Sequence, residues 1–133
     1  MTVADIAGAR RLWSKTAGVE VAEGDSPEDL ECYLARNPGL STVALDEDDR
    51  LIGAVLCGHD GRRGFVYHLA VARSHRGRGI GREIMQRSLK ELKRLGLARA
   101  LLLVAADNPG GHAFWRREGW EDMRFAKSMG IDL

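Results

Sequence analysis

Residues 71–82 read Val71-Ala72-Arg73-Ser74-His75-Arg76-Gly77-Arg78-Gly79-Ile80-Gly81-Arg82. An apolar run ends there, three glycines follow at alternate positions, and a helical pattern begins among them. The first turn of a helix carries unpaired N–H donors and a partial positive charge. Glycines let the backbone approach a ligand with no Cβ in the way. Together these make a cradle for linked phosphates. Arg73, Arg76, Arg78 and Arg82 place four positive charges within ten residues of it. No Gly-Lys-Ser/Thr follows, so this is not a Walker loop. The dinucleotide fingerprint requires a glycine where Arg82 stands, although Asp107 lies near the place of its ribose-binding acid. The plain alternative is a chain turn beside solvated arginines. The preceding strand, the helix onset and the arginine density favour anion binding.

Upstream, Phe65–Val71 is almost wholly apolar and reads as a central strand covered on both faces. Ser41–Leu45 and Leu51–Cys57 flank the acidic turn Asp46-Glu47-Asp48-Asp49 as a hairpin. Residues 27–36 read as a helix, with Ser26 as N-cap, Pro27 at the first position, and Glu28 and Asp29 at the positive end of the dipole. Residues 2–17 read as another, with Thr2 and Asp5 at capping-box spacing and Ile6, Ala9, Trp13 and Ala17 on one face. Downstream, a helix over residues 79–95 presents Ile84, Met85, Leu89, Leu92 and Leu95, and Gly96 ends it. Ala100–Ala105 reads as a buried strand, Asp107-Asn108-Pro109 opens a short helix to about Glu118, and residues 123–129 read as a last strand. The order predicts an α+β domain over residues 1–133, with a mixed, mostly antiparallel sheet flanked by helices.

The chain has 133 residues, 44% hydrophobic and 29% charged, which is ordinary for a folded domain. It shows no apolar stretch long enough for a membrane span and no signal pattern at its start. Cys32 and Cys57 stand apart, which excludes a disulfide scaffold and a zinc-finger framework and fits a cytoplasmic setting. The net charge of +1 hides a division. Residues 1–60 carry 12 acidic and 5 basic side chains, a net −7, and residues 61–133 carry 15 basic and 7 acidic, a net +8. The second half therefore attracts anions. Nucleic acid is disfavoured as that anion, because the basic residues gather around one glycine loop and no DNA-reading motif is present.

Arg76-Gly77-Arg78-Gly79-Ile80-Gly81 resembles the Arg/Gln-x-x-Gly-x-Gly/Ala motif of the GNAT family of N-acetyltransferases. With Asp60-Gly61-x-Arg63-Gly64 and Tyr67-x-Leu69-x-Val71 in order before it, the pattern is most similar to the bacterial YpeA-like branch. Asn108-Pro109-Gly110-Gly111 and Phe114-Trp115-Arg116-Arg117-Glu118-Gly119-Trp120 look like the family's downstream segment. The resemblance runs from about Thr42 to Trp120. It implies acetyl-CoA as co-substrate, no metal, and a diphosphate held on backbone amides of Gly77, Arg78, Gly79, Ile80, Gly81 and Arg82. It also implies a splayed pair of strands in which Leu69, Ala70 and Val71 offer their backbone to the pantetheine arm. Asn108 matches a position that contacts the cofactor or orders the loop, and an N-cap before Pro109 fits it equally. The family's first strand has no counterpart before residue 2, so either it is absent or the start lies upstream. An absent strand leaves a sheet edge open to a second chain, hence a possible homodimer.

Counting from Asn108, the family's general-acid tyrosine falls at Trp115, whose indole N–H cannot transfer a proton. Core packing suits Trp115, with contact to the cofactor arm as a second role. A thiol pKa near ~8.5 still makes thiolate a tolerable leaving group, and general-acid help is worth about 10²–10⁴-fold. Tyr67 and His68 lie beside the expected acetyl group. Alternation places Phe65, Tyr67, Leu69 and Val71 on one face and His68 on the other. His68 is a candidate base, against the commoner structural histidine. Tyr67 is a candidate donor to substrate or a replacement acid, against a core tyrosine. The acidic segment from Glu20 to Glu31 suits a cationic amine acceptor, or is a solvated helix start. The expectation is direct acetyl transfer to an unidentified primary amine, and the alternative is a non-catalytic acyl-CoA-binding module of the same fold.

Overall fold

The computed structural model describes residues 1–132. Two helices, α1 (Ile6–Ser14) and α2 (Pro27–Arg36), precede the antiparallel strands β1 (Thr42–Leu45), β2 (Leu51–His59) and β3 (Gly64–Val71). Then come α3 (Ile80–Arg94), β4 (Ala100–Leu102) and α4 (Pro109–Arg117). The sheet order is β1-β2-β3-β4, with β3 and β4 parallel, so the α+β class with a mixed sheet stands as expected. No described helix is long and apolar enough to cross a membrane.

Local chemistry sets the helix starts. The Ser26 hydroxyl accepts from Asp29 N at 3.1 Å, and Asn108 Oδ1 accepts from Gly111 N at 2.9 Å, each satisfying one orphan donor of a first turn. The Asp5 carboxylate accepts from Thr2 N at 2.7 Å. The first predicted helix is shorter than its pattern. Residues Val3–Asp5 form a 3-10 turn, and α1 ends at Ser14 because Thr16 and Gly18, the latter at φ +80°, bend the chain away.

The sheet separates two apolar clusters. Ile6, Ala9 and Trp13 of α1 and Leu30 of α2 pack on Ala54, Leu56 and Ala70. On the other face, Ile84 and Leu92 of α3 pack on Val55, Cys57 and Val66. The strand buried on both faces is therefore β2, not β3 as the apolar run suggested. Past Val66 the cover of β3 is partial: Ala70 is buried, Tyr67 is exposed, and His68, Leu69 and Val71 are half-buried. Three further expectations fail. The run Ala100–Ala105 is a strand only to Leu102 and is half-buried, with Leu103 exposed. Leu95 lies beyond the last turn of α3 and is exposed, while Ser88 takes a buried place in the helix face, 3.0 Å from the Thr42 hydroxyl. Residues 123–129 form no strand. Turn bonds from Arg124 N to Asp122 O and from Ala126 N to Met123 O curl this segment instead.

Gly58 shows how closely α2 sits on the sheet. A Cβ there would run into the Tyr33 hydroxyl and lie 2.7 Å from Asn37 Cγ. Gly58→Ala is expected to destabilise the fold by about 1–3 kcal/mol in denaturant titration through overpacking. At Gly61 a Cβ meets nothing, and only the φ of +87° opposes it. Gly61→Ala should then cost about 1–2 kcal/mol, the ordinary left-handed penalty.

Candidate active site

The parting of β3 from β4 defines the site. Their ladder ends at Val66 and Leu102, and β3 runs on to Val71 with no strand beside it on that side among the described residues. A cavity of about 700 Å³ opens along the gap. Tyr67, His68 and Leu69 line it from β3, residues 102–105 from the end of β4 and the chain after it, Asn108 and Trp115 from the N-cap and body of α4, and residues 16–20 and 22–25 from the loop between α1 and α2. A second cavity, of about 720 Å³, lies on the outer side of β4 and shares Tyr67, Leu102, Leu103, Val104 and Trp115 with the first.

At the end of β3 the glycine loop leads into α3. Gly77 and Gly79 sit at φ +75° and +79°, and a Cβ on either would point into open space. The first backbone bond of α3 runs from Glu83 N to Gly79 O at 3.0 Å. No amide from Arg76 to Arg82 donates to another backbone carbonyl among the described residues. Gly81 packs against Val71 and Phe114 and helps bring the helix mouth to the end of the strand. The backbone thus offers the donor row and open approach that a diphosphate needs.

The arginines do not all contribute free charge. Arg82 makes a bidentate pair with Glu118 of the α4 C-cap, its Nε 2.8 Å from Oε2 and its Nη2 2.8 Å from Oε1. Arg82 is thereby a strut between α3 and α4, and only its amide faces the cradle. The Glu118 side chain is 6% exposed, and the Arg82 guanidinium holds its carboxyl below the usual carboxylate range. Arg76 donates from Nε to Val71 O at 2.9 Å, tying the loop back onto the strand. Arg73 and Arg78 remain exposed.

The alternation expected for β3 fails at one residue. Leu56 pairs with Tyr67 and Ala54 with Ala70, so Val55 alone faces both His68 and Leu69. His68 takes φ +53°, a bulge that puts two successive side chains on one face. Tyr67 and His68 therefore share the α1–α2 side, and Leu69 and Val71 turn toward α3. His68 Nε2 lies 2.9 Å from both Oδ1 and Oδ2 of Asp25, and its ring lies 5.0 Å from that of Trp13. Tyr67 is 36% exposed, and burial of the remainder pushes its phenol up, so it stays a proton donor at neutral pH. Trp115 packs edge-on against Phe114 at 5.1 Å and Trp120 at 5.3 Å, the core role expected of it. Asn108 caps α4 and its amide abuts Gly18, joining α4 to the α1–α2 loop. The described residues hold no cluster of three or more metal-ligating side chains.

Two lining residues escaped the sequence reading. Asp25 was one acid among several, and nothing local signals a partner 43 residues away. Tyr33 follows Leu30 by one helical turn, a spacing that does mark the buried face of α2. Burial, then the nearby Cys57 and Tyr67, raise its phenol above the ordinary range. Burial also pushes the Cys57 thiol up to about 12, consistent with an inert core residue.

Residues 6–120 match the acetyltransferase (GNAT) family. The chain belongs to that family. An acetyltransferase of Photorhabdus laumondii is 32% identical over 115 residues, covering 82% of this chain and 80% of its own. The N-alpha-acetyltransferase 30 of Schizosaccharomyces pombe is 38% identical over 93 residues, covering 66% of this chain and 61% of its own. Further bacterial acetyltransferases are matched over only 58–59% of their length. The PaiA N-acetyltransferase of Thermoplasma acidophilum, solved with coenzyme A, superposes with a TM-score of 0.73 at 20% identity over 89% of this chain and 84% of that one. In this GNAT chain β3 and β4 part after Val66 and Leu102 and the glycine loop leads into α3, while the bulge at His68 and the Arg82–Glu118 strut were not foreseen from the sequence.

The strut has a measurable acid limb. A carboxyl whose folded pKa is depressed contributes stability above its unfolded value and loses it as pH falls. Glu118→Gln is expected to melt below the wild type at every pH above 4.5, the ordinary value of this group. Below that the two melting curves should converge as the wild-type carboxyl protonates. A pH series of thermal melts checks this.

Proposed function

We propose that this chain is an acetyl-CoA-dependent N-acetyltransferase of the YpeA-like branch, passing the acetyl group directly to a primary amine. The observation that carries the reading is the parting of β3 from β4 beside a glycine loop with unpaired amides. The residues present fit the donor. Gly77 and Gly79 have open space before them, and the side of β3 past Val66 that no strand covers suits an extended polar arm pairing as an added strand, with Arg76 already bonded to the Val71 carbonyl. When bound, acetyl-CoA supplies an activated thioester.

The chain's own groups do the rest. The α1–α2 wall of the cavity carries Glu20, Glu23 and Asp25, and no lysine or arginine lines that cavity, so a cationic amine is drawn in. Tyr67, protonated at neutral pH, supplies the hydroxyl that Trp115 cannot, either to the acceptor or to the departing sulfur. His68 serves as base. The name of the yeast relative makes a peptide α-amine the first acceptor to try. Trp115 favours a second reading, an acyl-CoA-binding module without turnover. With no outer neighbour on β1 or β4 among the described residues, the proposal includes pairing of two chains, and a light-scattering mass of one chain removes that element.

Acetyl-CoA at a hundredfold excess over Kd is expected to stabilise the protein by about 2.7 kcal/mol, read as a rise in Tm. Gly79→Val should abolish the rise while circular dichroism stays native. Thiol release over an amine panel separates the readings. Turnover with any amine supports transfer, and binding with none supports the module. In an active protein, Tyr67→Phe should lower kcat by about 10²-fold or more if its hydroxyl acts as acid.

A further inference from the structure

We infer that Asp25 is a positioning residue that holds His68 as the Nε2–H tautomer, leaving Nδ1 as the atom that takes the acceptor's proton. This rests on the transferase reading above. A carboxylate only accepts hydrogen bonds, so the proton between Asp25 and His68 belongs to Nε2. Both carboxylate oxygens lie 2.9 Å from that nitrogen. Asp25 is itself fixed, 7% exposed, with Oδ2 accepting from Ala22 N at 3.1 Å. The fully buried Trp13 ring packs against the imidazole and removes its rotational freedom.

The opposite nitrogen is left available. Nδ1 of His68 has no hydrogen-bond partner among the described residues, and it is not among their sealed unpartnered polar atoms. Asp25 and His68 both line the 700 Å³ cavity that the parted strands open. The backbone spends strain to put the ring there. A non-glycine residue at φ +53° costs about 1–3 kcal/mol, and such strain gathers at functional sites. A regular strand would turn His68 to the α3 side, away from Asp25.

The step balances. The cationic acceptor first loses one proton to solvent; the neutral amine nitrogen then bonds to the acetyl carbon and the C–S bond breaks, its electron pair staying on sulfur. The proton lost from nitrogen passes to Nδ1 of His68, and the thiolate takes a proton from solvent or from Tyr67, which is then reprotonated from His68 or solvent. The products are the amide and the free thiol.

Two readouts test the assignment, one of them independent of turnover. Ring ¹⁵N NMR of the wild-type protein should show neutral His68 as the Nε2–H tautomer. Asp25→Asn presents an amide donor to Nε2 and should shift His68 to the Nδ1–H tautomer. In kinetics, Asp25→Asn and His68→Gln should each lower kcat by about 10²–10⁴-fold, with the KM for acetyl-CoA unchanged, and the double variant should be no slower than the slower single. Should Asp25→Asn not stay folded, Asp25→Glu carries the test. It should keep the Nε2–H tautomer and more kcat than His68→Gln. A wild-type Nδ1–H tautomer in an active protein overturns the Asp25 assignment alone. So does a flipped tautomer with kcat within twofold of wild type. A wild type that binds acetyl-CoA yet turns over no amine removes the transferase reading and the base role with it.

Discussion

Among the described residues, the parallel ladder of Gly64, Phe65 and Val66 with Ala100, Leu101 and Leu102 is the only backbone pairing of the last strand with the sheet. Beyond it the β3 backbone keeps polar groups that a fourth and fifth pair would have satisfied. A longer β4 would close the gap and fill the cavity with its own side chains. The ladder is short because the chain after Leu102 turns outward. Leu103 is 75% exposed, and Asn108, capping α4, is drawn instead against Gly18 in the α1–α2 loop. The opening is thus held from three sides, by α4, by that loop and by the end of β3.

Charge is distributed to match. The sequence divides into an acidic half and a basic half, and folding refines the division. Arg82 is neutralised by Glu118 and becomes structural, while Arg76 clamps the loop to Val71. Arg73 and Arg78 keep their field beside the helix mouth, and Glu20, Glu23 and Asp25 form the opposite wall. Positive charge thus gathers beside the glycine loop and negative charge along the α1–α2 wall of the cavity.

Much of this was legible in the chain. Ser26 and Asn108 cap helices where their spacing predicted, because capping is local chemistry. The glycine loop and the start of α3 were readable for the same reason. The bulge was not, since alternation counts residues in twos and cannot see one extra. Neither was the Asp25–His68 contact, which only tertiary packing creates. Residues 123–129 misled because strand character depends on a partner. Met123 and Phe125 alternate with polar neighbours, yet Arg116 pairs with Asp122 at 2.8 Å and the segment coils beside α4.

The single surplus residue opposite Val55 sets which layer each later side chain of β3 enters. Trimming one position between Tyr67 and Leu69 would rotate Leu69, Ala70 and Val71 by half a turn, pushing apolar groups into the wrong sandwich layer. Grafting this strand between relatives to change substrate range therefore has to preserve its length before its letters. Sequence comparisons that place a gap there are aligning proteins whose cavities have different walls.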